Sequence, residues 1–82
     1  MSGGPDIYDL KGLNCPLPVL KARKRLAEMD QGQQLWLETT DPLAVIDIPA
    51  FCQERGHQLI ESQSVPGGHR FLVKRGQTHA AI

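Results

Sequence analysis

Charge of one sign is what this sequence most plainly lacks. Lys and Arg number 9, Asp and Glu number 9, and the formal net charge is zero. A dedicated nucleic-acid binder carries a basic excess, so stable nucleic-acid binding is not expected, although a local basic patch stays open. Long hydrophobic runs are missing as well. No segment is apolar over enough residues to span a membrane. Met1-Ser2-Gly3-Gly4-Pro5-Asp6 has no basic stretch leading into an apolar core, so no signal peptide is expected. Cysteine is scarce: Cys15 and Cys52 lie far apart and form no C-x-x-C pair. His57, His69 and His79 are scattered without metal-ligand spacing, so neither a zinc site nor a cofactor is expected. The expected compartment is cytoplasmic and reducing, where free cysteines are more often catalytic or buried than bridged. Counting alone leaves a Cys15–Cys52 disulfide open. At 82 residues the chain reads as one domain with a thin core and no deep pocket. Any chemistry should sit on the surface, near a loop or a helix end.

Against these absences stands Cys15-Pro16-Leu17-Pro18. A cysteine directly precedes two alternating prolines, and these open a helical pattern from Val19 to Met29. With Cys15 as N-cap, Pro16 becomes the first helical residue and Pro18 the third, where a missing amide costs little. Both rings fix φ and stiffen the helix start. Free amides and the positive end of the helix dipole converge there, a field that favours the reactive thiolate. The Leu17 amide could then point at the sulfur. A plainer reading is also open: Cys15 is a small buried cap residue and the prolines merely stop a strand.

The rest of the chain reads as alternating elements. Ile7, Tyr8 and Leu10 form a short strand. The first helix presents Val19, Ala22, Leu26 and Met29 at helical intervals, with Lys21, Arg23, Lys24 and Arg25 on much of its remaining surface. Leu35 to Thr40 is a strand. Asp41-Pro42 is a helix start, a carboxylate cap followed by proline. The second helix carries Leu43, Val45, Ile46, Ile48, Phe51 and Cys52. Pro49 should kink it or split it in two, with Asp47 capping the second piece; Asp41 and Asp47 are most simply caps, with a role as interface residues also open. Gly56 ends it. Gln58–Val65 and His69–Lys74 are strands joined by a Pro66-Gly67-Gly68 turn. Residues 1–5 and 77–82 read as flexible ends. The order β-α-β-α-β-β implies a two-layer α/β sandwich, a four-stranded mixed sheet with two helices on one face. Glu38, Arg70 and Lys74 suit its wet face, where Trp36 would be exposed or covered by a partner.

Asp9-Leu10-Lys11-Gly12-Leu13-Asn14-Cys15-Pro16-Leu17-Pro18 resembles the signature of the TusA (SirA-like) sulfur-carrier family: an acidic residue, Gly-Leu-x-Cys-Pro-x-Pro, then a helix. Asp41-Pro42 and Asp47-Ile48-Pro49-Ala50-Phe51-Cys52 continue the likeness, particularly to the branch around TusA itself, over roughly residues 6–75. The resemblance implies a small cytosolic sulfurtransferase-type carrier of the same sandwich fold. It implies that Cys15 takes a sulfane sulfur from a cysteine desulfurase, holds it as a persulfide and passes it to an acceptor protein. Destinations in such relays include 2-thiouridine in tRNA, molybdenum-cofactor assembly and sulfur oxidation.

Bottom-up chemistry agrees with that expectation. A carrier needs one accessible thiol, and partner enzymes supply the other groups. Gly12, Pro16 and Pro18 are the expected supports of Cys15. Lys21, Arg23, Lys24 and Arg25 are either a solvated helix face or a docking patch for an acidic partner. Cys52 reads as a packing cysteine, Asp9 as a local turn residue, His57 and His69 as surface residues. Gly12 should permit a tight turn that brings backbone near Cys15. A monomer that docks transiently is expected. The competing reading is a non-catalytic protein- or RNA-binding regulatory module of the same fold, with a Cys15–Cys52 redox switch as a third.

Overall fold

A computed structural model describes residues 4–76. The expected loose tail over 77–82, and residues 1–3 of the expected flexible start, lie outside the described residues. The elements run β1 (Asp6–Asp9), α1 (Leu17–Ala27), β2 (Gln34–Thr39), α2 (Ala44–Arg55), β3 (Gln58–Val65) and β4 (Gly68–Lys74). This is the expected β-α-β-α-β-β order. The four strands form one mixed sheet in the spatial order β1-β2-β4-β3. β1 pairs parallel with β2, while β4 pairs antiparallel with both β2 and β3.

Strand alternation divides the sheet into two faces. Leu35, Leu37 and Thr39 of β2 are buried, as are Phe71 and Val73 of β4. Leu35, Leu37, Phe71 and Val73 meet Ala22 and Leu26 of α1 and Ile48, Phe51 and Cys52 of α2 in one core. Both helices therefore cover the same face, and Val19, Met29 and Leu59 pack around the edge of that core. β4 sits inside the sheet because Phe71-Leu72-Val73 is an unbroken apolar run, buried on both faces. β3 is exposed along Glu61, Ser62, Gln63 and Ser64, which suits an edge strand.

On the open face, Trp36 is half-buried. Its cover comes from the chain itself: the Arg70 guanidinium carbon lies 4.2 Å from the ring centroid, a cation–π contact. Glu38 lies 3.8 Å from Arg70 Nε and 3.1 Å from Lys11 Nζ.

α1 begins later than the proline spacing suggests. Its N-cap is Pro16, not Cys15, and Pro18 falls at the second helical position. α2 differs more. Pro49 lies inside one continuous helix, so of the expected kink or split, the split into two pieces does not occur. The Asp47 amide already donates to the Leu43 carbonyl, 2.9 Å away, so the backbone is helical before Pro49 and Asp47 caps nothing. Proline here deprives only the carbonyl of Val45, an exposed residue whose oxygen water can satisfy.

Candidate functional site

Cys15 lies between the sheet and the start of α1, in a loop that the chain pins at several points. Gly12 adopts φ +87°, a left-handed conformation that glycine takes without penalty. Its amide donates to Thr40 Oγ1 at 2.9 Å, so this turn is tied to the segment after β2 rather than to Cys15. Asp9 Oδ1 accepts the Lys11 amide at 2.9 Å, which closes a local turn and holds that carboxyl below its ordinary range. The Leu17 amide donates to the Asn14 carbonyl at 2.8 Å. It is spent on that turn and does not point at the sulfur, contrary to expectation. Pro16 is exposed and Pro18 is buried beneath the start of α1.

The cysteine faces two carboxylates, not the helix dipole alone. Its amide donates to Asp41 Oδ2 at 2.6 Å. Asp41 is only 8% exposed, and its other oxygen accepts the Leu43 amide at 3.1 Å. One side chain thus fixes both the cysteine loop and the turn that leads into α2. The thiol itself donates from Sγ to Asp47 Oδ2 at 3.0 Å. That bond pushes the thiol pKa up; desolvation and the charges of Asp47 and Asp41 push the same way. These contacts work against the expected activated thiolate: Cys15 is exposed, and its Sγ donates to a carboxylate. Sequence reasoning placed Asp41 and Asp47 as caps and missed that both converge on Cys15. The recurring Asp-Pro and Asp-Ile-Pro segments were the available signal.

The surroundings are apolar as well as acidic. Leu17 and Leu20 of α1 are exposed, and so are Leu43, Val45 and Ile46, the last by 65%. These last three were expected among the apolar residues of the second helix; Ala44, Ile48, Phe51 and Cys52 fill its buried face instead. The basic residues of α1 divide into two groups. Arg25 is engaged, its guanidinium carbon 4.9 Å from the Tyr8 ring centroid and its Nη2 3.5 Å from Asp6 Oδ2. Lys21, Arg23 and Lys24 are exposed.

Other candidates lie away from Cys15. Cys52 is buried in the core, and burial pushes its thiol up to about 11. Both cysteines are free thiols. Neither His57 nor His69 is a simple surface residue. His57 Nδ1 accepts the Gly76 amide at 3.0 Å, and its ring packs 5.4 Å from Phe51. Burial, then Arg75 and Arg55, hold its pKa below the ordinary value. The half-buried His69 stacks on Phe71. Among the described residues, no group of three His, Cys, Asp or Glu side chains could hold a metal ion, and no helix is long and apolar enough to cross a membrane.

The family model described as sulfurtransferase TusA matches residues 6–75, a span that includes Cys15, Asp41 and Asp47. The chain belongs to the TusA family of sulfur carriers. It is 46% identical over 67 residues to a sulfur carrier protein TusA from Allochromatium vinosum, covering 82% of this chain and 88% of that one. A crystal structure of a SirA-like protein from Desulfitobacterium hafniense shares the fold, with TM-score 0.75 and 22% identity. That match covers 88% of this chain and 99% of the other. The expected TusA-like sandwich is therefore present. Membership in a sulfur-carrier family also implies partner proteins on either side of the carried sulfur.

Proposed function

We propose that this protein is a persulfide carrier whose reacting atom is Cys15 Sγ. The sulfur comes from the persulfide of a cysteine desulfurase. Cys15 Sγ attacks the outer sulfur of that persulfide, and a new sulfur–sulfur bond forms. The bond between the outer sulfur and the donor cysteine breaks, and the donor departs as a thiolate that takes up the equivalent of the proton Cys15 Sγ gives up. One sulfane sulfur changes hands with no net oxidation or reduction. A downstream acceptor then repeats the exchange on the Cys15 persulfide. Its destination is one of the three such relays serve: 2-thiouridine in tRNA, molybdenum-cofactor assembly or sulfur oxidation. The protein acts in the cytoplasm as a monomer that meets each partner transiently, with Lys21, Arg23 and Lys24 steering an acidic partner surface.

The observation that carries this reading is the contrast between the two thiols. Cys15 is exposed on a loop pinned from three sides, while Cys52 is enclosed in the core. Transfer of radiolabelled sulfur from cysteine through a cysteine desulfurase tests it. Wild type should take up label and Cys15→Ser should not. Equal labelling of the two would overturn the assignment.

The raised pKa of the Cys15 thiol favours a second reading, a regulatory module that uses the fold without thiol chemistry. Under that reading neither wild type nor Cys15→Ser accepts label, and Lys21, Arg23 and Lys24 contact a protein or RNA partner.

A further inference from the structure

Cys15 and Asp47 lie 32 residues apart in sequence, yet thiol and carboxylate meet at 3.0 Å. The meeting is built into the fold. Asp41 ties the Cys15 amide to the turn before α2, and Asp47 stands in the first turn of that helix. A carboxylate beside a thiol invites a general-base reading, but the acidities oppose it. A model carboxylic acid is a stronger acid than a model thiol by about four to five pKa units. In the contact Sγ is the donor and Asp47 Oδ2 the acceptor. Both charges that act on the thiol, Asp47 and Asp41, are negative. The free protein suppresses the form that a nucleophile needs.

Something must relieve this when sulfur is delivered. Asp47 forms no ion pair with another side chain among the described residues. Exposed Leu17, Leu20, Leu43, Val45 and Ile46 occupy the two segments that carry the site. A partner that covers them also takes Asp47 out of water, and an unpaired buried carboxylate is strongly disfavoured. A cation brought by the partner resolves both problems: it pairs with Asp47 and frees the thiol.

We propose that Asp47 is a latch that holds Cys15 as a protonated thiol in the free carrier, and that a cationic side chain of the sulfur-donating protein draws Asp47 off on docking. The proposal rests on Cys15 being the sulfur acceptor. It also separates the empty and loaded states. Once Sγ carries a second sulfur it has no proton to donate, so the latch bond cannot re-form at Sγ until the sulfur is handed on.

The experiment compares wild type with Asp47→Asn, which keeps the shape and removes the charge, and with Asp47→Glu. Thermal melts confirm that each is folded. First, iodoacetamide alkylation of Cys15 is followed from neutral to alkaline pH. Asp47→Asn should react roughly two- to fivefold faster at neutral pH, the scale of one exposed charge interaction, and its profile should move to lower pH. An unchanged profile overturns the latch. Second, sulfur uptake from a persulfide-loaded cysteine desulfurase is measured at low and high salt. Asp47→Asn should raise KM several-fold and flatten the salt dependence of KM, and Asp47→Glu should restore both. Faster alkylation with unchanged or lower KM overturns the cationic partner. If wild type takes up no sulfur, the carrier reading fails along with the cationic partner, while alkylation still decides whether Asp47 holds the thiol.

Discussion

Asp41 offers the sharpest test of how the site is held. Asp41→Ala removes the acceptor of two amides, those of Cys15 and Leu43. A hydrogen bond to a charged acceptor contributes about 1.5–3 kcal/mol net. Cys15 is exposed, so water recovers part of that bond once the carboxylate is gone. The Leu43 bond holds the turn before α2 and is the costlier loss. Together they set an expected destabilisation of about 2–4 kcal/mol, against total stabilities of about 5–15 kcal/mol for domains in general. In a domain of this size each kcal/mol shifts Tm by roughly 4–8 °C. Calorimetry should therefore show Tm lower by about 10–25 °C. Asp41→Asn keeps one carbonyl oxygen but turns an NH₂ toward the other amide. It should fall between wild type and Asp41→Ala, with an independent loss of order at the Cys15 loop seen as faster amide exchange at Cys15. An Ala variant that melts within about 2 °C of wild type would refute the reasoning, because the two bonds would then contribute almost nothing.

Two further perturbations test other parts of the fold. A Cβ at Gly68 would run into the carbonyl oxygen of Thr39, and that neighbour is backbone in the paired strand β2. At Gly12 a Cβ meets nothing, and only φ +87° opposes it. Urea unfolding should therefore show Gly68→Ala costing about 2–4 kcal/mol and Gly12→Ala only about 1 kcal/mol; the reverse order would contradict the register of β2 and β4. His57 is held neutral in the fold, accepting the Gly76 amide. Its folded pKa lies below the unfolded one, so the unfolded chain takes up the proton first as pH falls. Stability should drop as pH falls below the ordinary histidine value of 6.5, and His57→Asn should flatten that slope. A wild-type slope matched by the variant would rule His57 out as its source.

Much of the fold is legible in local pattern. Element order follows from hydrophobic period and turn chemistry, which are set within a few residues of each other. Ala22 and Leu26 repeat at helical spacing and both enter the core. Leu35 and Leu37 alternate with Gln34, Trp36 and Glu38, and they face inward. The interior place of β4 was also available, since Phe71-Leu72-Val73 is apolar on both faces while β3 is polar. Pro49 misled only in suggesting a split, since a lost amide can be tolerated inside one helix. Tertiary packing of Ile48, Phe51 and Cys52 holds α2 continuous through it.

The site divides in the same way. The sequence by itself determined that Cys15 is the candidate nucleophile, that glycine and prolines shape its loop, and that the chain resembles sulfur carriers. Those are properties of adjacent residues, and adjacency is what a sequence displays. Only the tertiary structure decided the state of the thiol. The helix start promised a positive field, but the loop geometry spends the Leu17 amide on Asn14. The packing of α1 beside α2 then brings Asp41 and Asp47 to the cysteine. Electrostatic interaction falls with distance in space, not along the chain. Two carboxylates from a distant segment therefore raise the thiol pKa, and no reading of Cys-Pro-Leu-Pro alone contains them.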